Sequence, residues 1–352
     1  MFKDILINYY KHKPKSEIQD FIKLIYQGAF GGEHLIKNKD TSFNYLLTEC
    51  NQMELEHHPY EPLYEIISEQ YVRVNLSPYL KADFSLERLN DYFSSQKNSS
   101  SLITLTERLE IFLELVKANI IKLDFDKTIE FLDNYKENNF PVFHHTENYR
   151  NNYNPHYRVV PIDFITEEMK EYQLISYLQY INTQTNAKHI FVAAEGKCAS
   201  GKTTLIEAIS KKMNLTIIHA DDFFLKESDK KKYIPVGDYI DYNKIISLIK
   251  NLNENDSVIY EKFKCSTQTY EKVSIDSPSK IIILEGVYSY NKHLQNYINH
   301  LIFFNVNFDE QLLRLKTREN DKNLEKFINI WIPKENEYYD TFPIISNAEL
   351  LI

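Results

Sequence analysis

The chain has 352 residues, which fits two domains of about 150 residues each. A composition of 43% hydrophobic and 26% charged residues is typical of a globular protein and excludes a disordered one. The net charge of −9 disfavours a nucleic-acid partner. No apolar run reaches the roughly 18 residues of a membrane helix, and the first residues do not form a signal peptide. Cys50, Cys198 and Cys265 are too far apart for a disulfide framework or a zinc knuckle, so we expect a reduced, cytoplasmic protein without a membrane partner.

Residues 16–136 show a mainly helical periodicity, with apolar side chains that recur every three or four residues. Two such stripes are Ile18, Phe21, Ile22 and Ile25, and Leu105, Leu109, Phe112 and Leu113. One predicted strand, residues 71–76, interrupts the helices and ends before Pro78. The sequence therefore predicts a mainly helical domain in residues 1–160.

Two stretches of this domain have unusual compositions. Three glycines within residues 28–32 precede Glu33 and His34, which suggests a binding loop or half of a metal site. A tight connection between two helices is the simpler interpretation, and His57 and His58 fit a loop. Residues 139–161 are rich in Asn, Tyr, His and Pro and predict an ordered loop or a domain connection. There Arg150 and Arg158 could bind phosphate, or the stretch could form an interdomain seam.

The pattern changes after residue 161. A predicted helix over residues 166–182 is followed by short β-rich runs that alternate with helical ones. The predicted strands are 189–194, 215–219, 257–260, 280–284 and 301–306, and the predicted helices are 202–212, 242–251 and 309–318. Such alternation predicts an α/β fold, a parallel sheet with helices on both faces, in residues 161–352. Ligands bind at the carboxyl ends of the strands in sheets of this kind.

Residues 196–203 match the eight-residue pattern Gly-x4-Gly-Lys-Thr of a phosphate-binding loop, between an apolar strand and an amphipathic helix. The backbone N–H groups of such a loop surround phosphate oxygens, Lys202 would bridge the β- and γ-phosphates, and Thr203 would ligate Mg²⁺. We therefore predict ATP and Mg²⁺ as cofactors. The predicted nucleotide-binding residues are Gly196, Lys197, Cys198, Ala199, Ser200, Gly201, Lys202, Thr203 and Thr204. No Asn-Lys-x-Asp pattern of a guanine-reading GTPase follows.

Carboxylates follow two of the predicted strands. Asp221 and Asp222 come after residues 215–219, and Glu285, which a glycine follows, comes directly after residues 280–284. A carboxylate at such a strand end faces the γ-phosphate, where it can accept the proton of a substrate hydroxyl or bind Mg²⁺. A helix cap and a plain turn are the structural alternatives. The order of the two carboxylate segments after the phosphate loop favours a kinase.

From about residue 188 to its end, the chain resembles the uridine kinase and phosphoribulokinase-like P-loop kinases. The resemblance lies in the phosphate loop and in His219-Ala220-Asp221-Asp222-Phe223-Phe224, which is also similar to the Asp-Asp-Phe-Phe of nicotinamide riboside kinases. It implies that Asp221 activates the acceptor and that Asp221 and Glu285 lie near Mg²⁺. It also implies that Asp222 and Asp241 contact the acceptor.

The same resemblance makes Tyr260 a substrate residue, because uridine kinases have an aromatic residue in this segment. Cys265 stands where those kinases have a histidine that reads the base, so the identity of the base does not carry over. The stretch Trp331-Ile332-Pro333-Lys334-Glu335 with Tyr338-Tyr339 resembles the tail of bacterial uridine kinase-like proteins. The domain of residues 1–160 resembles no family that we recognise.

Arg314 and Arg318 lie four residues apart, on one face of a predicted helix. Together they could close over the transferring phosphoryl group as a lid, or pair with nearby acids on a solvated face. Cys198 could be a redox switch if the helix amides and Lys202 lowered the pKa of its thiol; a filler residue is the simpler interpretation.

These features predict a kinase that transfers the γ-phosphoryl group of ATP to a small hydroxyl-bearing molecule, such as a nucleoside or a sugar-like alcohol. The alternative is a nucleotide-dependent regulator that acts through residues 1–160. That domain could hold a second activity, a substrate sensor or a dimerisation surface, so a homo-oligomer is compatible with the sequence. A polynucleotide kinase is disfavoured by the acidic net charge.

Overall fold

The computed structural model describes residues 1–32, 38–53, 60–95, 102–226, 234–264 and 267–352. The sequence interpretations of Glu33, His34, His57, His58 and Cys265 lie outside these residues. The chain divides into two compact units, Met1–Gln173 and Leu174–Ile352. The domain boundary that we predict after residue 160 precedes this division. Within the described ranges, no helix is both long and apolar enough to cross a membrane.

The amino-terminal unit is mainly helical. Its helices are α1 (Phe2–His12), α2 (Ile18–Phe30), α3 (Lys39–Gln52), α4 (Leu76–Lys81), α5 (Leu86–Ser94), α6 (Leu102–Lys117), α7 (Phe125–Glu137), α8 (Glu147–Tyr153) and α9 (Glu167–Thr183), the last of which continues into the second unit. Side-chain caps begin several of them: Ser85 accepts from Arg88 N and Asp124 from Lys127 N. The predicted stripes form the core, where Phe21 of α2 and Phe112 of α6 stack at 5.0 Å between ring centroids.

A three-stranded antiparallel sheet completes this unit. Its strands are β1 (Tyr64–Ile66), β2 (Tyr71–Asn75) and β3 (Tyr157–Pro161), in the order β1-β2-β3. Strand β2 confirms the predicted strand. The interpretation of residues 139–161 as a loop is wrong for α8 and β3: the side chains of Val159 and Val160 are buried where β3 pairs with β2. Elements this short, between Asn and Pro residues, are too short to show a periodic pattern in the sequence. Strand β3 is therefore recognisable only from its pairing with β2.

The carboxy-terminal unit contains the predicted parallel sheet. Its strands are β4 (Ile190–Gly196), β5 (Leu215–His219), β8 (Ile281–Glu285), β9 (His300–Phe304) and β10 (Leu350–Leu351), in the order β10-β9-β4-β8-β5. The helices are α10 (Lys202–Ser210), α11 (Tyr242–Glu254), α12 (Phe308–Arg318), α13 (Asp321–Lys326), α14 (Ile332–Thr341) and α15 (Ile344–Asn347). All residues of β4 and β8 are buried, as expected of central parallel strands.

One predicted strand does not belong to the parallel sheet. Residues 257–260 begin β6 (Ser257–Lys264), which pairs with β7 (Thr269–Asp276) as an antiparallel hairpin instead of joining the parallel sheet. Exposed side chains recur along both strands, so neither fits the buried interior of the sheet. Because β4 has β9 on one side and β8 on the other, the ends of β4, β5 and β8 meet at one edge. The phosphate loop, Asp221 with Asp222, and Glu285 lie at the ends of these three strands.

Candidate active site

The phosphate loop connects β4 to α10. Its backbone has positive φ angles at Gly196 (145°), Ala199 (56°) and Gly201 (92°). A Cβ atom on Gly196 would lie 2.3 Å from the carbonyl oxygen of Phe304, so only glycine fits there. The loop therefore turns tightly at the amino-terminal end of α10, where the helix dipole favours an anion.

Lys202 holds the loop together from inside. Its side chain is buried, and Nζ donates to the carbonyl oxygens of Gly196 at 2.8 Å and Lys197 at 2.9 Å. The ammonium group thus lies within the ring of the loop, where it can reach a phosphate that the loop amides bind. This arrangement fits the triphosphate of a nucleotide.

Thr203, Glu285 and His219 form a hydrogen-bonded set at the ends of three elements. Thr203 Oγ1 donates to Glu285 Oε1 at 3.0 Å, and His219 Nδ1 donates to Glu285 Oε2 at 2.9 Å. The hydrogen bond to Glu285 raises the pKa of His219. Burial opposes ionisation of Glu285, but His219, Lys202 and Thr203 together hold the pKa of Glu285 below its usual value. Glu285 is therefore an ionised carboxylate beside the phosphate loop.

A hydroxyl and a carboxylate fit the protein's share of a magnesium site. Mg²⁺ usually keeps several waters and binds one or two carboxylates together with substrate phosphates, so a kinase needs no closed protein cage. In the part of the chain that the structure describes, no three His, Cys, Asp or Glu side chains are grouped to hold a metal. Thr203 and Glu285 stay the predicted ligands, with Asp221 as a further predicted one.

Asp221 lies in the 3-10 turn Ala220–Phe223, directly after β5. Its carboxylate reaches solvent, but the surrounding protein and the negative charge of Glu285 raise its pKa, while Lys202 and His219 lower it. These charged neighbours place Asp221 at the same edge of the sheet as the phosphate loop. A carboxylate with a raised pKa is a better proton acceptor, which suits the predicted role of a general base.

Asp222 points into the protein. It accepts a hydrogen bond from the Tyr260 hydroxyl at 2.9 Å and pairs with Lys262 Nζ at 2.8 Å. The Tyr260 ring also stacks on Phe223, with 5.5 Å between centroids. These contacts hold the β6–β7 hairpin against the turn that contains Asp221. Substrate contact by Asp222 and Tyr260 stays a prediction, and the structure brings the two side chains to each other.

Asp241 begins α11, where its side chain accepts from Lys244 N at 3.2 Å. Its own N–H donates to the carbonyl oxygen of Phe223 at 2.8 Å, and Phe224 forms a β-bridge with Ile240. The segment ending in Asp241 therefore lies beside the turn of Asp221. Asp241 serves as a helix cap, and its predicted contact with an acceptor is compatible with this position.

The two predicted lid arginines have different surroundings. Arg314 Nη1 donates to the carbonyl oxygen of Ala199 at 3.2 Å, and its Nε pairs with Glu310 at 2.7 Å. Arg318 pairs with Glu319 at 2.7 Å and lies 5.5 Å from the Phe327 ring centroid. Arg314 thus contacts the phosphate loop, whereas within the described ranges Arg318 makes no contact with it.

Glu195, which sequence analysis did not single out, lies directly before the loop and is fully buried. It accepts hydrogen bonds from the N–H groups of Gly196, Tyr288 and Tyr290 and from the Tyr339 hydroxyl, at 2.9–3.2 Å. Burial raises the pKa of Glu195 to about 7 despite these donors. The sequence feature that could have revealed Glu195 is a carboxylate within an otherwise apolar strand. Glu195 fixes the start of the loop against the segment after β8.

Glu335 of α14 also binds the loop. Its Oε2 accepts from the N–H of Cys198 at 2.9 Å, and Gln311 Nε2 donates to the Cys198 carbonyl oxygen at 3.0 Å. Burial and the nearby Glu335 raise the pKa of the Cys198 thiol to about 12. This is opposite to the lowering that a redox switch requires, so that interpretation of Cys198 is wrong.

The tail that contains Glu335 passes through a π-helical turn, Phe327–Trp331, between α13 and α14. The Trp331 ring lies 6.3 Å from Phe224, and Lys334 Nζ lies 4.5 Å from the Tyr239 ring centroid. π-helical turns are frequent at functional sites, because they change the direction of side chains within a helix. Here Trp331, at the end of the turn, lies beside the segment after Asp221, and Lys334, in the next helix, lies beside the segment before Asp241.

Part of the chain is similar in sequence to a known protein. No protein family model matches the chain. Over 116 residues it is 34% identical to uridine-cytidine kinase D of Dictyostelium discoideum, a match that covers 33% of this chain and 23% of that protein. The match thus spans less than a quarter of the length of this curated relative.

Two solved structures are also similar. One is a possible uridine kinase from Bacillus stearothermophilus, with 19% identity, a TM-score of 0.42 and coverage of 53% of this chain and 100% of that one. The other is D-glycerate 3-kinase from Cryptococcus neoformans, with 15% identity, a TM-score of 0.40 and coverage of 50% and 89%. In its sequence and its phosphate loop, the carboxy-terminal unit is similar to the uridine kinase-like P-loop kinases.

Proposed function

We propose that the protein transfers the γ-phosphoryl group of ATP to a hydroxyl group of a small molecule, most simply a nucleoside or a sugar-like alcohol. The observation that supports this best is the position of Asp221. It is a solvent-accessible carboxylate, and its pKa responds to Lys202 of the phosphate loop and to Glu285. A protein that only binds nucleotide has no need for a proton acceptor there.

The roles of the side chains follow from their positions. Lys202 and the loop amides would bind the phosphates, Thr203 and Glu285 would hold the metal, and Asp221 would orient the acceptor hydroxyl and take its proton. Arg314, at the carbonyl oxygen of Ala199, is positioned to neutralise charge on the transferring group. ATP supplies the phosphoryl group, and Mg²⁺ neutralises charge on its oxygens.

The test is ADP release with Mg²⁺ against a panel of nucleosides, nicotinamide riboside, sugars, polyols, amino alcohols and pantothenate. The blank contains no acceptor. Release that depends on one class of acceptor supports the proposal and names the substrate class. Release that ignores every acceptor, or tight ATP binding without turnover, contradicts it and favours a nucleotide-dependent regulator.

The substitution Glu285→Gln should raise the Mg²⁺ concentration needed for half-maximal activity by about tenfold, because it removes the charge of one metal ligand. Mg²⁺ titrations at saturating ATP measure this change. Glu207→Gln, an exposed change on α10, is the control and should leave the Mg²⁺ requirement as it is. An unchanged Mg²⁺ requirement in Glu285→Gln would remove Glu285 from the metal site.

The substitution Glu335→Gln should lower the KM for ATP by about fivefold, because it removes a negative charge that binds a loop N–H needed for phosphate. The amide can still accept from Cys198 N, so the loop keeps its geometry. Initial rates at varied ATP measure the effect, and Glu337→Gln, an exposed change on the same helix, is the matched control. A raised KM in Glu335→Gln would instead mean that the carboxylate supports nucleotide binding.

A further inference from the structure

The amino-terminal unit buries a polar cluster around Arg73 of β2. The Arg73 side chain is 0% exposed, and its Nε and Nη2 donate to Gln27 Oε1 at 3.0 and 2.8 Å. The Tyr157 ring centroid lies 4.5 Å and the Tyr9 ring centroid 5.7 Å from the guanidinium carbon. Arg73 has no carboxylate partner among the described residues. Its cross-strand neighbour Glu65 pairs with Lys13 at 2.7 Å instead.

Three buried polar atoms of this cluster make no hydrogen bond of regular geometry within the described part of the chain: Arg73 Nη1, the Tyr9 hydroxyl and the Tyr149 hydroxyl, the last two of which lie near enough to interact with each other. The three groups lie close together: the guanidinium carbon is 5.7 Å from the Tyr9 ring centroid, and Lys13 Nζ lies 5.5 Å from the Tyr9 ring centroid and 6.0 Å from that of Tyr149. An unpartnered buried donor costs about 1–3 kcal/mol, and more for a charged group. Arg73 Nη1 and at least one of the two phenol hydroxyls therefore call for an acceptor.

The charges around the cluster define the chemistry of that acceptor. The basic side chains are Arg73, Lys23 and Lys13, and the acidic ones are Asp20 and Glu65. His145 donates to Asp20 at 2.9 Å, and burial lowers the pKa of His145 to about 3, so it is neutral. Burial and the Arg73 charge lower the pKa of Lys23 to about 8, which leaves it mostly charged at neutral pH. The cluster therefore holds one positive charge in excess.

We propose that this cluster is a binding site for a small oxyanion, the carboxylate or phosphate group of a metabolite, which accepts hydrogen bonds from Arg73, Tyr9 and Tyr149. Charge-assisted hydrogen bonds from a guanidinium are the strongest that such a group can receive. The rings of Tyr9 and Tyr157 enclose the guanidinium, and His145 stacks on Tyr149 at 3.9 Å, so the donors are held in fixed directions. The Lys13–Glu65 pair, whose side chains are 19% and 24% exposed, connects the cluster to solvent.

Arg150 and Arg158, which the sequence suggested as phosphate ligands, are engaged elsewhere. Arg150 Nη1 donates to the carbonyl oxygen of His145 at 3.0 Å, and Arg158 pairs with Glu49 at 2.8 Å. The stretch that contains them contributes to the site through His145, Tyr149 and Tyr157 instead. Anion binding by this stretch stays a prediction, now with Arg73 of β2 as the proposed cation.

The experiment is isothermal titration calorimetry of the full chain with sodium phosphate and with sodium acetate, with sodium chloride at matched ionic strength as the blank. The chain carries Lys202→Ala, so that the phosphate loop contributes little. We expect saturable binding of at least one oxyanion with a Kd of about 1 mM or tighter. Phosphate alone, acetate alone or both would support the site and identify the group; binding of neither would overturn it.

Substitutions then locate the binding. Tyr9→Phe and Tyr149→Phe should each weaken it by about tenfold, since each removes a hydrogen bond to a charged group. Neither should lower the melting temperature of the free chain by more than a few degrees, because neither hydroxyl makes a hydrogen bond of regular geometry. Tyr135→Phe is the matched control: its buried hydroxyl is also unpartnered, and its main neighbour is Tyr26. Arg73→Lys should abolish binding, but the Tyr variants decide the matter if that variant does not fold. If Tyr9→Phe and Tyr149→Phe bind the oxyanion as tightly as the Tyr135→Phe control does, the site is refuted.

Discussion

Replacing Asp221 by asparagine should lower kcat by about 10²–10⁴-fold, because the amide cannot take the proton of the acceptor hydroxyl. The side chain keeps its size, and burial and the charge of Glu285 are the main influences on the carboxylate. The loop and Lys202 are untouched, so ATP should bind as in the unmodified protein. Acceptor-dependent ADP release measures kcat, and equilibrium binding of ATP measures the retained affinity. Normal turnover in this variant would contradict the assignment of Asp221 as the base.

The pH profile gives a second readout for the same side chain. Only the ionised carboxylate accepts a proton, and the pKa of Asp221 is raised by its surroundings and by Glu285. Activity should therefore fall on acidification at a higher pH than an exposed aspartate would give. This acidic limb should disappear in Asp221→Asn. The exposed Asp309 offers the control, since Asp309→Asn should leave both kcat and the pH profile unchanged.

Replacing Lys202 by alanine should lower kcat/KM by about 10³-fold, because it removes the buried positive charge that faces the transferring phosphate. It also leaves the carbonyl oxygens of Gly196 and Lys197 without their donor, which loosens the loop. We expect weaker ATP binding together with slower transfer, in contrast to Asp221→Asn. Initial-rate kinetics with varied ATP separate the two effects.

Lys211, which follows α10, is the control for this substitution. It is exposed, and Lys211→Ala keeps the loop intact, so ATP affinity and rate should both stay normal. Circular dichroism of Lys202→Ala checks that the parallel sheet has formed. A folded Lys202→Ala chain that retains acceptor-dependent ADP release would show that the phosphate loop is not the nucleotide site.

The nucleotide side of the site could be predicted because its residues are consecutive. Gly196, Gly201, Lys202 and Thr203 lie in one short loop, and the loop needs positive φ angles where glycine supplies them. The sequence also singled out Asp221 and Glu285, because Asp221 comes just after one recognisable strand and Glu285 ends another. Local patterns such as these depend little on tertiary contacts.

The remaining contacts depend on residues far apart in the sequence. Nothing in the local pattern of α14 predicts that Glu335 binds Cys198 N, or that Tyr339 binds Glu195. The hairpin β6–β7 has strand periodicity, but its place outside the parallel sheet depends on which faces become buried. In the amino-terminal unit, the same limit hid Arg73, whose position in β2 looked like an ordinary strand residue.

The order of strands in the parallel sheet also constrains how the active site is made during synthesis. Strand β4 is hydrogen-bonded to β8 and β9, both of which are translated long after it, and β5 joins the sheet only through β8. The phosphate loop therefore cannot take its final shape until Phe304, whose carbonyl oxygen faces Gly196, has left the ribosome. Pairings between distant segments form slowly, because the loops between them must close first. The nascent chain should accordingly acquire nucleotide affinity late, after the amino-terminal unit with its local helices has folded.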